Sequence, residues 1–152
     1  MQGADRTLHT KWTFVERGKS NLSSGGYAVL VTEYILAMEA ACARNPDSAE
    51  LQIGLGIALA LNQNWKGGVH HLERATQLDP DHFFARYKLA GLFHSLQALP
   101  SAEAETLKAL DVAVTQSEVA LARQQLLAIR ESMQQEENLE QPAPLRFRLI
   151  WT

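Results

Sequence analysis

The stretch of the sequence most suggestive of chemistry is Gly18-Lys19-Ser20, which matches the end of a phosphate-binding loop. A loop of the type GxxxxGK[ST] needs an earlier glycine five positions before Gly18, because backbone N–H groups of the turn must reach the phosphates. That position is Thr13, so the motif is incomplete. The sequence therefore predicts no nucleotide site at this loop.

Two adjacent histidines, His70 and His71, are the next candidates. Neighbouring residues of an α-helix point about 100° apart, so these two rings cannot bind one metal ion together. On a helix, His71 is then an ordinary surface neighbour of Arg74. No spaced carboxylate pair and no Cys/His/Asn set marks a catalytic centre. We expect no enzyme activity, no metal and no cofactor.

The bulk composition is that of an ordinary globular protein. Of 152 residues, 46% are apolar and 20% are charged, and the net charge of −3 comes with no basic stripe, which argues against nucleic acid as a partner. The N-terminal stretch lacks the apolar centre of a signal peptide. The most apolar run, 27–43, is interrupted by Glu33 and Glu39. We expect no membrane span and a cytoplasmic location.

The chain repeats itself with a period of 34 residues. Alanine recurs at Ala41, Ala75 and Ala109, and proline recurs at Pro46 and Pro80, each at this spacing. This is the length of a helix–turn–helix repeat, which buries its apolar side only by stacking on its neighbours. The chain is therefore predicted to be an all-α repeat protein.

Helical periodicity, caps and breakers divide the chain into helices. Thr115 and Glu118 have the spacing of a capping box, and Asp79-Pro80 ends a helix because proline cannot continue the hydrogen-bond ladder. The predicted helices cover 26–44, 49–61, 66–78, 82–96, 100–114 and 117–136.

The unit from Ala49 to His82 resembles a tetratricopeptide repeat. The matching positions are Leu55-Gly56, Leu59, Trp65, Gly68, Leu72, Ala75 and Pro80. Two residues depart from the family pattern: Gln52, where the family favours tryptophan, and Leu59, where it favours an aromatic ring. The unit from Phe83 onward matches more loosely. The resemblance covers about 27–136. It implies a short right-handed helical solenoid of two repeats with a flanking helix on each side, and a protein-binding rather than a catalytic role.

In this family, the first helix of each repeat lines a concave groove that binds a partner. Carried over to this sequence, the groove positions are Glu50, Ile53, Ile57, Leu61, Phe84, Tyr87, Lys88, Gly91 and His94. Ile53 and Ile57 stand where some members have the lysine and asparagine that bind a terminal carboxylate, so that mode of binding is not expected. An apolar stripe on a helix whose other side is buried must be covered, either by a partner or by the N-terminal segment or last helix of the same chain.

Both chain ends alternate apolar and polar residues with a period of two, as β-strands do. The residues expected to make strand-mediated contacts are Trp12, Phe14, Phe147, Leu149 and Trp151. The predicted organisation is an N-terminal arm (1–26, with a strand at 7–15), a helical domain (27–137), and a linker with a strand-like tail (138–152). The two segments either pair with each other, extend a sheet of a partner or second copy, or dock on the helices.

Three functions fit this sequence. The first is an adaptor or assembly subunit that binds a protein or peptide through the groove, the terminal strands, or both. The second is a chaperone for a secreted or membrane client, and the third is a non-catalytic structural subunit of a larger enzyme. Two full repeats are near the lower limit for independent stability, so we also expect a homo-oligomer or a constitutive partner.

Overall fold

The computed structural model describes residues 24–140, and six helices follow one another through this range. They are α1 (Ser24–Arg44), α2 (Ala49–Leu61), α3 (Trp65–Leu78), α4 (Phe83–Ser95), α5 (Leu99–Val112) and α6 (Gln116–Glu140). The prediction of an all-α helical repeat is confirmed, and the bounds of 49–61 match those predicted. The strands predicted at the chain ends lie outside the described residues.

Side-chain acceptors close the N-termini of four helices, where the first N–H groups have no partner within the helix. The capping side chains are Ser48, Asn64, His82 and Thr115. At α6 the cap is reciprocal: Thr115 Oγ1 accepts from the Glu118 N–H at 3.1 Å, and Glu118 Oε2 accepts from the Thr115 N–H at 3.0 Å. The predicted capping box is therefore confirmed.

The turns inside the two repeats have the same geometry. Gln63 and Gln97, 34 residues apart, adopt left-handed backbone conformations with φ of 62° and 59°. In each turn the following N–H donates to a carbonyl five residues back, from Asn64 to Leu59 and from Ala98 to Phe93, both at 2.9 Å. This is the pattern of a Schellman-type helix end. The period read from the sequence thus reappears in the backbone.

Each repeat is a hairpin of two helices that approach closely through small residues. A Cβ placed on Gly56 of α2 would lie 3.0 Å from the carbonyl oxygen of Gly68 on α3. In the second repeat the matching positions are Ala90 and Ala102, and both are fully buried. Small side chains at these crossings let the helices pack backbone to backbone.

The hairpins stack in sequence order. The first helices α2, α4 and α6 contact one another in turn, and each second helix packs against the first helix of the next repeat. The helix α1 precedes the first hairpin in the place of a second helix, and α6 follows the last in the place of a first helix. The predicted groove positions all lie on α2 and α4.

Candidate functional site

We call the surface carried by the first helices α2, α4 and α6 the first-helix face. The predicted groove residues differ in how far they are exposed on this face. Ile53 is only 3% exposed. It packs in one cluster with Ala85 and Leu89 of α4, and Ile57 lies half-buried against the same cluster. The first helix of the next repeat therefore covers most of the apolar stripe on α2, a covering that the sequence did not suggest.

The last helix covers a second part of the first-helix face. The Tyr87 ring stacks on the Phe83 ring of the same helix, at 5.7 Å between centroids. The backbone carbonyl of Tyr87 accepts a hydrogen bond from Gln125 Nε2 on α6 at 3.1 Å. His94 Nε2 lies 3.0 Å from Ser132 Oγ, also on α6. Tyr87 and His94 thus serve contacts between successive first helices.

Phe84 and Lys88 lie one turn apart on α4. The Phe84 side chain is 43% exposed, and Lys88 Nζ lies 4.9 Å from the centre of its ring. This is the geometry of a cation–π contact. Within residues 24–140, no carboxylate forms an ion pair with Lys88. The Phe84–Lys88 patch therefore offers both an apolar ring and an unneutralised charge.

The predicted groove residue Glu50 is tied to the second repeat. Its Oε1 lies 2.7 Å from Nε2 of His82. The other ring nitrogen of His82, Nδ1, accepts the capping hydrogen bond from the Ala85 N–H. Neutral His82 therefore carries its proton on Nε2 and donates it to Glu50. This pair joins the N-terminus of α2 to that of α4 at one edge of the first-helix face.

Leu61, at the other end of α2, is half-buried. The terminal aromatic residues Trp12, Phe14, Phe147, Leu149 and Trp151 lie outside the described part of the chain, so their predicted contacts stay predictions. Of the predicted set, the structure leaves Glu50 and Phe84 exposed on the first-helix face, with Lys88 beside Phe84.

One part of the sequence interpretation was wrong. His71 does not pair with Arg74 on the surface: it is half-buried and hydrogen-bonded to Gln52, while Arg74 forms an ion pair with Asp47 at 3.2 Å. The signal that could have found this contact was Gln52 itself, a polar residue on the buried side of an apolar helix.

A second concavity lies on the opposite side of the solenoid, between α3 and α5. It has a volume of about 440 Å³ and is lined by Glu73, Thr76, Gln77, Leu89, Phe93, Ser101, Ala104 and Glu105. Both oxygens of Glu105 are already occupied, by Arg86 at 3.0 Å and by Lys108 at 2.7 Å. Sequence reasoning missed this cleft because its residues come from three different helices.

Residues 24–140 contain no group of three or more His, Cys, Asp or Glu side chains placed to hold a metal ion. Across the same range, no helix has the length and apolar character to cross a membrane.

No protein-family model matches the sequence, and no curated protein is significantly similar to it. Solved structures are similar. The first TPR domain of Spaghetti (RPAP3), bound to the HSP90 peptide SRMEEVD, is 15% identical with a TM-score of 0.68, covering 88% of this chain and 96% of that chain. The Yersinia enterocolitica type III secretion chaperone SycD, in complex with a peptide of the translocator YopD, is 14% identical with a TM-score of 0.64, covering 88% and 99%.

The P58(IPK) TPR domain is 17% identical with a TM-score of 0.64 over 86% of this chain, which spans only 34% of that chain. The paired helices, the repeated turns and the similarity to these solved structures together define a helical-repeat solenoid. The chain has the tetratricopeptide-repeat fold, as its sequence predicted.

Proposed function

We propose that this chain is a non-catalytic, cytoplasmic adaptor or assembly subunit that holds a segment of a partner protein on the first-helix face, at the Phe84–Lys88 patch. The observation that carries this proposal is the pairing of a 43% exposed phenylalanine with a lysine that lacks an ion pair within residues 24–140. Aromatic side chains are enriched at protein interfaces, and a lysine charge beside such a ring attracts and orients an acidic group of the partner.

The chemistry of the patch indicates the kind of segment that it would bind. An apolar partner side chain would cover the Phe84 ring, and a carboxylate beside it would neutralise Lys88, which the ring already holds at 4.9 Å. Because α4 is packed between α2 and α6, the patch lies on a rigid helix, so little conformational entropy is lost when a partner binds. The partner segment that fits is therefore apolar with an acidic residue.

The solved structures of the same fold support binding of a short segment. Spaghetti (RPAP3) is bound to an HSP90 peptide, and SycD is in complex with a peptide of a translocator. SycD is itself a type III secretion chaperone, and this likeness supports a chaperone of a secreted or membrane client as a second candidate. A client that aggregates without this chain would identify a chaperone, whereas a partner that is stable alone would identify an adaptor.

The test is the affinity of the full chain for its partner, measured by calorimetry with matched variants. Phe84→Ala and Lys88→Glu should each weaken binding by about tenfold, since a central interface residue contributes on the order of 1.4 kcal/mol or more. Leu107→Ala is the control, because Leu107 is 41% exposed but lies on α5, a second helix. Equal affinities for all three variants and the parent would refute the proposed site.

A further inference from the structure

The outer side of α1 carries an exposed apolar stripe. Val29 is 58% and Leu36 is 60% exposed, and Ala40 and Ala43 are exposed beside them. On a helix these four residues lie within about 60° of one another. They occupy the side opposite to the residues that pack against α2.

The equivalent positions of the other second helices are exposed and mostly polar: His70, Arg74 and Gln77 on α3, and Ala104, Lys108 and Asp111 on α5. Within residues 24–140, α3 contacts the first helices before and after it, and so does α5, whereas α1 contacts only α2. The end helix of a solenoid ordinarily has a polar outer side. On α6 the exposed Leu127 has the exposed polar residues Gln124 and Glu131 about one turn before and after it, whereas all four stripe residues of α1 are apolar. The outer side of α1 is therefore a surface suited to cover by another segment.

We infer that residues 1–23 of the same chain cover this stripe. The segment is joined directly to Ser24, the first residue of α1, so its local concentration at the stripe is high. The stripe from Val29 to Ala43 is about 21 Å long, and 23 residues reach as far as about 75 Å when extended. The segment contains apolar residues for this surface, namely Leu8, Trp12, Phe14 and Val15.

The charges of the two surfaces are complementary. Glu33 and Glu39 are exposed on either side of the stripe, and neither forms an ion pair with another residue of 24–140. The segment has four basic residues against two acidic ones: Arg6, Lys11, Arg17 and Lys19 against Asp5 and Glu16. A second copy packed through the same helix would instead bring the glutamates of two α1 helices together, which is unfavourable.

This inference does not depend on the proposed function, because α1 is a second helix and the Phe84–Lys88 patch lies on α4. The occupant that we assign is the chain's own segment, and a second copy or another protein would be a contrary outcome of the test.

The experiment uses Trp12 as its reporter, in a full-length chain carrying Trp65→Phe and Trp151→Phe so that Trp12 is the only tryptophan. We expect Trp12 emission at short wavelength and poor quenching by acrylamide, both independent of protein concentration. Leu36→Glu and Val29→Glu should each shift the emission to longer wavelength and raise the quenching constant several-fold. Leu127→Glu is the matched control, because Leu127 is also 60% exposed but lies on α6, and it should change neither quantity.

A second measurement leaves the helices unaltered. Replacing Trp12 and Phe14 by serine should speed amide hydrogen exchange in α1 several-fold while leaving exchange in α4 and α5 unchanged. The inference is overturned if Trp12 is fully accessible in the parent, if Leu127→Glu exposes it as much as Leu36→Glu does, or if exchange in α1 is unaltered. Loss of Trp12 protection on dilution would assign the stripe to a second copy and overturn the inference as well.

Discussion

The side-chain oxygen of Gln52 lies 2.7 Å from Nδ1 of His71 and joins the two helices of the first repeat. Gln52 Nε2 donates to the Pro46 carbonyl at 3.1 Å, so its Oε1 is the acceptor and His71 Nδ1–H is the donor. A polar link therefore stands where the resembled repeat family favours a tryptophan. Burial lowers the pKa of His71 below its ordinary value, and the nearby His70 lowers that pKa further.

This lowered pKa predicts a loss of stability in mild acid. As the pH falls below the ordinary histidine pKa of about 6.5, the unfolded chain takes up a proton at His71 before the folded chain does. The free energy of unfolding then decreases until the pH passes the lower, folded-state pKa. Urea unfolding at about pH 7.5 and about pH 5.5 should show a smaller decrease for His71→Gln than for the parent. The same decrease in both proteins would contradict the prediction.

Removal of the Gln52 side chain should destabilise the fold. Gln52→Ala removes two partly buried hydrogen bonds, to the Pro46 carbonyl and from the His71 N–H, at an expected loss of about 1–3 kcal/mol in unfolding free energy. Gln77→Ala is the control, because Gln77 is exposed on α3 and its loss should change stability by less than about 0.5 kcal/mol. Equal unfolding midpoints for the two variants would show that the link contributes nothing.

Substitution by alanine should have opposite effects at two glycines, Gly56 in the contact between α2 and α3 and Gly91 on α4. Gly56→Ala would place a Cβ 2.9 Å from Leu72 Cγ and 3.0 Å from the Gly68 carbonyl oxygen. We expect a net loss of about 1–3 kcal/mol, because the helices must move apart.

Gly91→Ala is the matched comparison. Its Cβ would meet only the end of the Gln125 side chain, at 3.2 Å. The Gln125 amide must shift by a few tenths of an ångström while it keeps its hydrogen bond to the Tyr87 carbonyl, so the higher helix propensity of alanine should give a net stabilisation of less than about 1 kcal/mol. Thermal unfolding of both variants checks the pair of predictions, and a stabilised Gly56→Ala variant would show that the helices tolerate a wider separation.

The capping box at α6 should be needed for the start of that helix. Thr115→Ala removes the acceptor of the Glu118 N–H and should lower the unfolding free energy by about 1 kcal/mol. Hydrogen exchange in the first turn of α6 should become faster. Ser117→Ala removes a neighbouring hydroxyl that forms no hydrogen bond within the described chain, and unchanged exchange is expected there. Similar effects of both substitutions would argue against a specific role of the box.

The helices could be predicted from the sequence because their signals are local. Pro46 and Ser48 fix the start of α2, and Thr115 with Glu118 fixes the start of α6. The 34-residue period is equally local, since each repeat contains its own turn and its own small residues. These features require no knowledge of which helices meet.

Contacts across repeats could not be predicted in the same way. Periodicity placed Ile53 and Ile57 on one side of α2, but it could not indicate that α4 covers this side. His71 was assigned to the surface because its partner Gln52 lies 19 residues earlier on another helix. His82 is an unusual capping residue, and only the ring geometry shows that it also binds Glu50.

The central claim is that partners bind to the first-helix face, and site-specific photo-crosslinking tests it most directly. A photoreactive phenylalanine analogue at position 84 should form an abundant crosslink to one partner segment in native cells, and Lys88→Glu should lower the yield of this crosslink several-fold. The same analogue at position 107, equally exposed but on α5, should form none to that segment. Crosslinking to the partner from position 107 but not from position 84 would contradict the account.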